Sequence, residues 1–149
     1  MQKLHYTISI NAPAKKVWDT MLEDATYRKW TMPFFPGSYA EGDWYKGSRM
    51  RFLARNAEGK LEGMVANIAE NKPYEFLSIK HIGVVKDGNA NLESDQTKAW
   101  EGAFENYTFK ETDGVTELQI ELNTDETYGD MFNGMWPKAL NILKELCEV

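Results

Sequence analysis

The chain has 149 residues, 42% hydrophobic and 27% charged, with a formal net charge of −6 at pH 7, as is typical of one globular domain with a sizeable core. It contains no apolar run near the ~20 residues of a membrane span. Its first residues lead directly into a strand pattern and show no secretory h-region, so we expect a cytoplasmic protein. The single cysteine, Cys147, excludes an intramolecular disulfide and any cysteine-based metal cluster.

The charge is unevenly distributed along the chain. Residues 1–86 carry 13 basic and 9 acidic side chains, whereas residues 87–149 carry 4 basic and 14 acidic ones. Neither part has a dense basic cluster with interleaved aromatics, so we expect no nucleic-acid partner. The acidic C-terminal half indicates a solvated face, and the alternative is a docking surface for a basic protein partner.

The N-terminal third predicts one strand and two short helices. Apolar residues alternate over 3–10, which is typical of a strand with one face on the core. Pro13 fits the first turn of a helix that we expect over 13–23. A second short helix over 25–31 would present Trp30 to the core.

The middle of the chain predicts a meander of strands. Turn signals separate alternating segments, from which we expect strands at 37–44, 48–56, 60–71 and 74–83. Residues 84–98 are polar and long for a hairpin, which predicts a functional or mobile loop. Two further strands, at 99–111 and 114–123, are joined by Asp113-Gly114, a strong hairpin signal.

The C-terminal segment predicts one long amphipathic helix. Its apolar residues from Tyr128 to Leu146 fall within about 120° of one another at helical spacing, and Thr124 or Asp125 can cap its start. A proline inside a helix removes a hydrogen bond and crowds the preceding turn. Pro137 therefore predicts a bend or short break near 133–136.

This order of elements predicts an α+β domain in which an antiparallel sheet wraps around the C-terminal helix and leaves an apolar cavity. Short motifs distributed over the whole chain carry a resemblance: Ile10-Asn-Ala-Pro13, Val17-Trp18, Trp30, Gly42-Asp43-Trp44, Gly47-Ser48, Gly63 ahead of Pro73, and Trp136-Pro-Lys-Ala-Leu140 with Leu143-Lys144. The chain resembles the START-like, helix-grip superfamily (SRPBCC), and within it the bacterial relatives of the activator of heat-shock-protein-90 ATPase. The resemblance implies a single domain over residues 1–149, with a seven-stranded antiparallel sheet around the long helix and two short helices between strands 1 and 2. It does not imply one activity, because this fold hosts carriers, cyclases and co-chaperone modules.

Large aromatic and methionine side chains are the main functional signal. On this architecture they face one another across the cavity, and such flexible, polarizable groups suit an apolar or aromatic small molecule. The alternative interpretation is that they simply fill the core. The predicted ligand-binding residues are Trp30, Met32, Phe34, Phe35, Trp44, Met50, Phe52, Met64, Tyr128, Met131 and Met135.

Polar residues offer weaker candidates for catalysis. Lys80 has the phase of Phe76 and Ser78, from which we expect it to point inward, and His81, Glu101 and Tyr107 could approach the cavity. A buried group of this kind could act as an acid or a base because burial shifts its pKa. The alternative is that Lys80 points to solvent and His81 lies at a strand end.

We therefore expect a binding protein for a hydrophobic or aromatic small molecule rather than an enzyme. The alternatives are a cyclase- or hydrolase-type enzyme that uses a polar group in the same cavity, and a co-chaperone-like interaction module. The sequence has no G-x-S-x-G elbow, no Walker or Rossmann glycine pattern and no H-E-x-x-H motif. We expect neither a metal nor a cofactor, and the oligomeric state stays open.

Overall fold

A computed structural model describes the backbone of residues 1–149 and every side chain except those of Asp95, Gln96 and Ala99. The strands are β1 (Gln2–Ile10), β2 (Tyr39–Glu41), β3 (Arg49–Arg55), β4 (Leu61–Lys72), β5 (Phe76–Lys86), β6 (Asn89–Asn91), β7 (Phe104–Thr112) and β8 (Val115–Thr124). The helices are α1 (Ala14–Leu22), α2 (Asp24–Trp30), α3 (Asp95–Trp100) and α4 (Gly129–Cys147).

The strands form one antiparallel sheet around the C-terminal helix. Their order is β1-β8-β7-β5-β4-β3-β2, and the short β6 pairs with β5 outside this path. Helix α4 packs on β1, α1 and α2. This arrangement confirms the predicted α+β helix-grip fold with two short helices after the first strand.

The main core lies between α4 and the concave face of the sheet. Ile10, Leu118, Ile120 and Leu143 are all fully or almost fully buried there. Since side chains alternate between the two faces of a strand, the sheet also has an opposite face. A smaller cluster around Leu53 covers that face where β3, β4 and β5 pair.

The prediction of a loop over 84–98 is wrong. Strand β5 continues to Lys86, and the chain then forms β6 and the short helix α3 before β7 begins at Phe104 rather than at 99. Polar side chains stabilise this segment locally. The Asn91 carboxamide oxygen accepts the backbone N–H of Glu93, and the Ser94 hydroxyl caps α3 by accepting the backbone N–H of Thr97.

Helix α4 runs without interruption from Gly129 to Cys147, so the predicted break near 133–136 is absent. Pro137 has no N–H to donate to the Asn133 carbonyl, but both residues are exposed and water can hydrate that carbonyl. Asp125 does not cap α4. Its carboxylate accepts the backbone N–H of Thr127 at 2.9 Å and caps a short 3₁₀ turn that precedes the helix.

Candidate functional site

A cavity of about 540 Å³ lies between α4 and the concave face of the sheet. Side chains from α2 and the turn after it, from β3, β4, β5, β7 and β8, and from the first half of α4 form its wall. This volume falls in the range of pockets that hold drug-sized molecules. The fold therefore leaves room for a small ligand at the place where the order of elements predicts it.

Strand pairing aligns part of the wall into one row. Phe52 on β3 pairs with Met64 on β4, and Met64 pairs with Val84 on β5. All three line the cavity, because residues that are directly opposite in paired strands share a face of the sheet. The alternation of each strand thus presents apolar side chains to the cavity.

Aromatic rings hold one another in place around the cavity. The Trp30 indole donates its Nε1–H to the Met21 carbonyl at 2.9 Å, which anchors the end of α2 to α1. The Phe34 ring meets the Trp136 ring of α4 edge-on, with 4.9 Å between centroids. Trp100 of α3 lies 5.4 Å from the Tyr128 ring. Such tilted contacts are favourable for aromatic pairs and make this part of the wall well ordered.

Eight of the eleven predicted ligand-binding residues lie on the cavity wall: Trp30, Phe34, Phe35, Phe52, Met64, Tyr128, Met131 and Met135. Met32, Trp44 and Met50 do not line this cavity. Met32 is 53% exposed, and Met50 is 0% exposed within the core. Trp44 packs against the outer side of Tyr27 and Phe52, with centroid distances of 6.1 and 5.9 Å.

The polar candidates divide into two pairs. Lys80 and Glu101 are exposed and lie off the wall, whereas His81 and Tyr107 are part of it. Lys80 does share the phase of Ser78, but that is the opposite face of the sheet, where the Ser78 hydroxyl contacts the Asn106 carboxamide oxygen at 2.6 Å.

Glu105 is a wall residue that the sequence analysis did not select. Its Oε1 lies 3.8 Å from Nε2 of His81, and its Oε2 accepts a hydrogen bond from the Tyr107 hydroxyl. Glu105 precedes Tyr107 by two positions on β7, so the alternation of the strand places both on the concave face. The two-residue spacing from Tyr107 is therefore a signal in the sequence that places Glu105 on the face of the cavity.

The Tyr27 and Tyr107 hydroxyls of the wall stay protonated. Burial, followed by the negative charge of Glu105, raises the pKa of Tyr107 well above its ordinary value, and the same two causes raise the pKa of Tyr27. The Nδ1 atom of His81 is buried and has no hydrogen-bond partner among the residues that the structure describes. The inner part of the site therefore combines phenol donors, the His81 imidazole and the Glu105 carboxylate, while a second carboxylate on the wall, Glu62, is exposed.

The cavity opens to solvent between exposed side chains. Phe35, Tyr128 and Met131 line it and are each at least 39% exposed. Arg55 and Lys86 lie at exposed positions on strands β3 and β5 and also contribute to the wall. A small molecule can enter past these residues without unfolding the sheet.

Among the residues that the structure describes, no group of three or more His, Cys, Asp or Glu side chains could hold a metal ion. Likewise, none of the helices that the structure describes is both long enough and apolar enough to cross a membrane.

Comparison with known proteins gives one family and many similar folds. The family model described as "Activator of Hsp90 ATPase homolog 1-like protein" matches residues 11–148. The Aha1 dimer from Colwellia psychrerythraea, determined in solution, is 18% identical, with a TM-score of 0.71 over 100% of this chain and 98% of that chain. A protein from Mesorhizobium loti is also 18% identical, with a TM-score of 0.71 over 97% of this chain and 96% of that chain.

A third similar structure is DynU16, a protein of the dynemicin biosynthetic locus. It is 12% identical with a TM-score of 0.69, and the match covers 100% of this chain and 48% of DynU16. No curated protein matches the chain. At these identities the structural likeness shows the fold alone.

Proposed function

The chain belongs to the family of activator of Hsp90 ATPase homolog 1-like proteins, and from this premise we propose that it binds an apolar or aromatic small molecule between α4 and the sheet. The observation that carries the proposal is the cavity of about 540 Å³ with its aromatic and methionine wall. A folded core normally closes voids of this size, because unfilled space forfeits dispersion and hydrophobic energy. An apolar ligand would recover that energy.

The composition of the wall supports an apolar ligand. The large apolar side chains of the wall include Trp30, Phe34, Phe52, Met64, Met135 and Trp136. Methionine adapts its shape to a ligand, and aromatic rings offer large rigid contact areas. Two polar side chains of the wall, His81 and Tyr107, lie next to the Glu105 carboxylate, which suits a ligand with an apolar body and one polar end.

Non-denaturing mass spectrometry of the protein purified from its native host tests the proposal directly. We expect a reproducible extra mass that disappears on denaturation. A bare protein mass leaves open a ligand that dissociates during purification, so a binding assay with an added probe is needed as well.

Cavity-filling variants provide that assay with a matched control. Met135→Trp places a larger side chain on the wall, whereas Met32→Trp makes the same change at an exposed position off the wall. We expect Met135→Trp to weaken the uptake of N-phenylnaphthylamine, a neutral fluorescent probe, by about tenfold or more, because an overfilled site excludes ligand volume. Equal uptake by the wild type and both variants, or no uptake by the wild type, would contradict binding in this cavity.

A second candidate, the cyclase- or hydrolase-type enzyme, is favoured by the convergence of His81, Glu105 and Tyr107 on the wall. An imidazole near a carboxylate is a common acid–base arrangement. Incubating the ligand recovered from the native host with the protein distinguishes the two functions. An unchanged ligand mass supports binding alone, whereas a new product that is lost in His81→Gln supports catalysis.

A further inference from the structure

Glu105 places a carboxylate in a largely apolar part of the cavity. The rings of Phe52, Tyr27 and Tyr107 border this region, with 6.4 Å between the centroids of Tyr27 and Phe52. The Glu105 side chain is 26% exposed. An ionised group in such surroundings is costly unless it is paired and hydrogen-bonded.

The protein itself satisfies this carboxylate only in part. The Tyr107 hydroxyl donates to Oε2, but Nε2 of His81 is 3.8 Å from Oε1, which is too long for a hydrogen bond. The basic wall residues Arg55 and Lys86 lie at exposed positions and form no ion pair with Glu105 among the described residues. Oε1 therefore keeps capacity for another donor.

A second, small void that Glu105 also lines offers little room for water. Its volume is about 10 Å³, which is at the lower limit for a single water molecule. The carboxylate therefore obtains most of its remaining solvation from the main cavity. A ligand that fills the cavity would remove that water, so it must replace the lost hydrogen bonds or bind weakly.

We propose that the ligand carries a protonated amine that pairs with Glu105 while its apolar body lies against the aromatic wall. This inference rests on the proposed function and specifies the chemical class of the ligand. An ammonium group would supply donors to Oε1, and the faces of Phe52 and Tyr27 would add cation–π attraction. A carboxylate ligand would instead place two negative charges together in a poorly hydrated space.

Three probes with one apolar body test the proposal: naphthylethylamine, naphthylethanol and naphthylacetate. They share the naphthyl ring and a two-carbon side chain, and their polar ends are cationic, neutral and anionic, respectively. Isothermal titration calorimetry measures their binding. We expect the amine to bind about tenfold or more tightly than the alcohol, since hydrogen bonds to charged groups are stronger than neutral ones. The acid should bind most weakly.

Glu105→Gln removes the charge and keeps the shape of the side chain. We expect this variant to bind the amine and the alcohol about equally, whereas the control Glu101→Gln, at an exposed position off the wall, should keep the preference of the wild type. If the wild type binds the alcohol as tightly as the amine, the inference is wrong and the proposed function stands. If it binds none of the three probes, the proposed function fails with it.

Discussion

Two tryptophans on the cavity wall differ in what their indole N–H groups contact. Trp30 is 2% exposed and donates to the Met21 carbonyl, which lies in the last turn of α1 and has no acceptor role within that helix. Trp136 is 3% exposed, and its Nε1 has no hydrogen-bond partner among the described residues. The two side chains are almost equally buried and differ in this hydrogen bond. Comparing them therefore separates the contribution of the bond to stability from that of the buried ring.

Replacing each of these tryptophans with phenylalanine measures that hydrogen bond. Both changes remove similar volume, but Trp30→Phe leaves the Met21 carbonyl unpaired, whereas Trp136→Phe deletes an unpaired donor. We expect Trp30→Phe to lower the free energy of unfolding by about 1–3 kcal/mol more than Trp136→Phe does. Urea denaturation of both variants and the wild type gives this difference, and equal losses would contradict the role assigned to the bond.

For single residues, the sequence predicts which face of the sheet a side chain lies on better than it predicts how deeply that side chain is buried. Met50 and Phe52 have the same phase on β3, yet Phe52 lines the cavity and Met50 is sealed in the core. Alternation determines which side of the sheet a residue occupies. What covers it depends on distant elements, here the helices packed on the sheet. The two-residue spacing from Tyr107 predicts the face that Glu105 occupies, but its proximity to His81 depends on the pairing of β7 with β5.

At the scale of elements, long periodic segments were predictable, whereas the short elements β6 and α3 were not. Strand β1, helix α1 and helix α4 each show an apolar pattern over nine or more residues, and such a pattern is read locally. Helix α3 has only six residues. It depends on the Ser94 cap and on the buried Thr97, whose hydroxyl donates to the Asn91 carbonyl on β6. No periodic apolar pattern in the sequence therefore indicates this helix.

Two glycines show how elements constrain single positions. Gly63 on β4 lies opposite Leu53 on β3, and a Cβ atom built there would be 1.8 Å from the Phe52 carbonyl oxygen. The two backbones approach so closely that no side chain fits. Gly134 on α4 is exposed, and a Cβ atom there would meet nothing within 4 Å.

The same substitution should therefore have opposite effects at these two positions. Gly63→Ala forces the β3–β4 pair apart, and we expect the free energy of unfolding to fall by about 3 kcal/mol. Gly134→Ala restricts the unfolded chain and favours the helix, and we expect a gain of about 0.5–1 kcal/mol. Thermal and urea denaturation measure both values. A stable Gly63→Ala protein with unchanged probe uptake would contradict the close approach of these strands.

At the scale of the whole molecule, the topology mixes the basic and acidic parts of the chain. The acidic strands β7 and β8 lie inside the sheet between β1 and β5, which belong to the basic N-terminal part. Lys3 of β1 thus pairs with Glu121 of β8 at 2.8 Å. In the sheet, the acidic and basic parts of the chain are therefore interleaved rather than separated.

The two ends of the fold are also joined by charged groups. The Glu148 carboxylate accepts the backbone N–H of Asn11 at 2.7 Å and the Lys144 ammonium at 2.6 Å. The same ammonium donates to the Ser9 carbonyl at 2.7 Å. These bonds connect the last turn of α4 to the turn between β1 and α1, and the hydrogen bonds from Lys144 and Asn11 lower the pKa of Glu148 below its ordinary value of 4.5.

Because the folded pKa of Glu148 lies below the unfolded one, the unfolded chain binds more protons as the pH falls through this range. The stabilising contribution is therefore present above about pH 4.5 and is lost in acid. We expect Glu148→Gln to be less stable than the wild type at about pH 7 and to lose less stability on going to about pH 3.5. The matched control is Glu145→Gln, an exposed change on the same helix, and it should follow the wild type. Urea denaturation at both pH values measures the free energy of unfolding of the three proteins. An identical pH dependence in all of them would contradict a stabilising role for the contacts of Glu148.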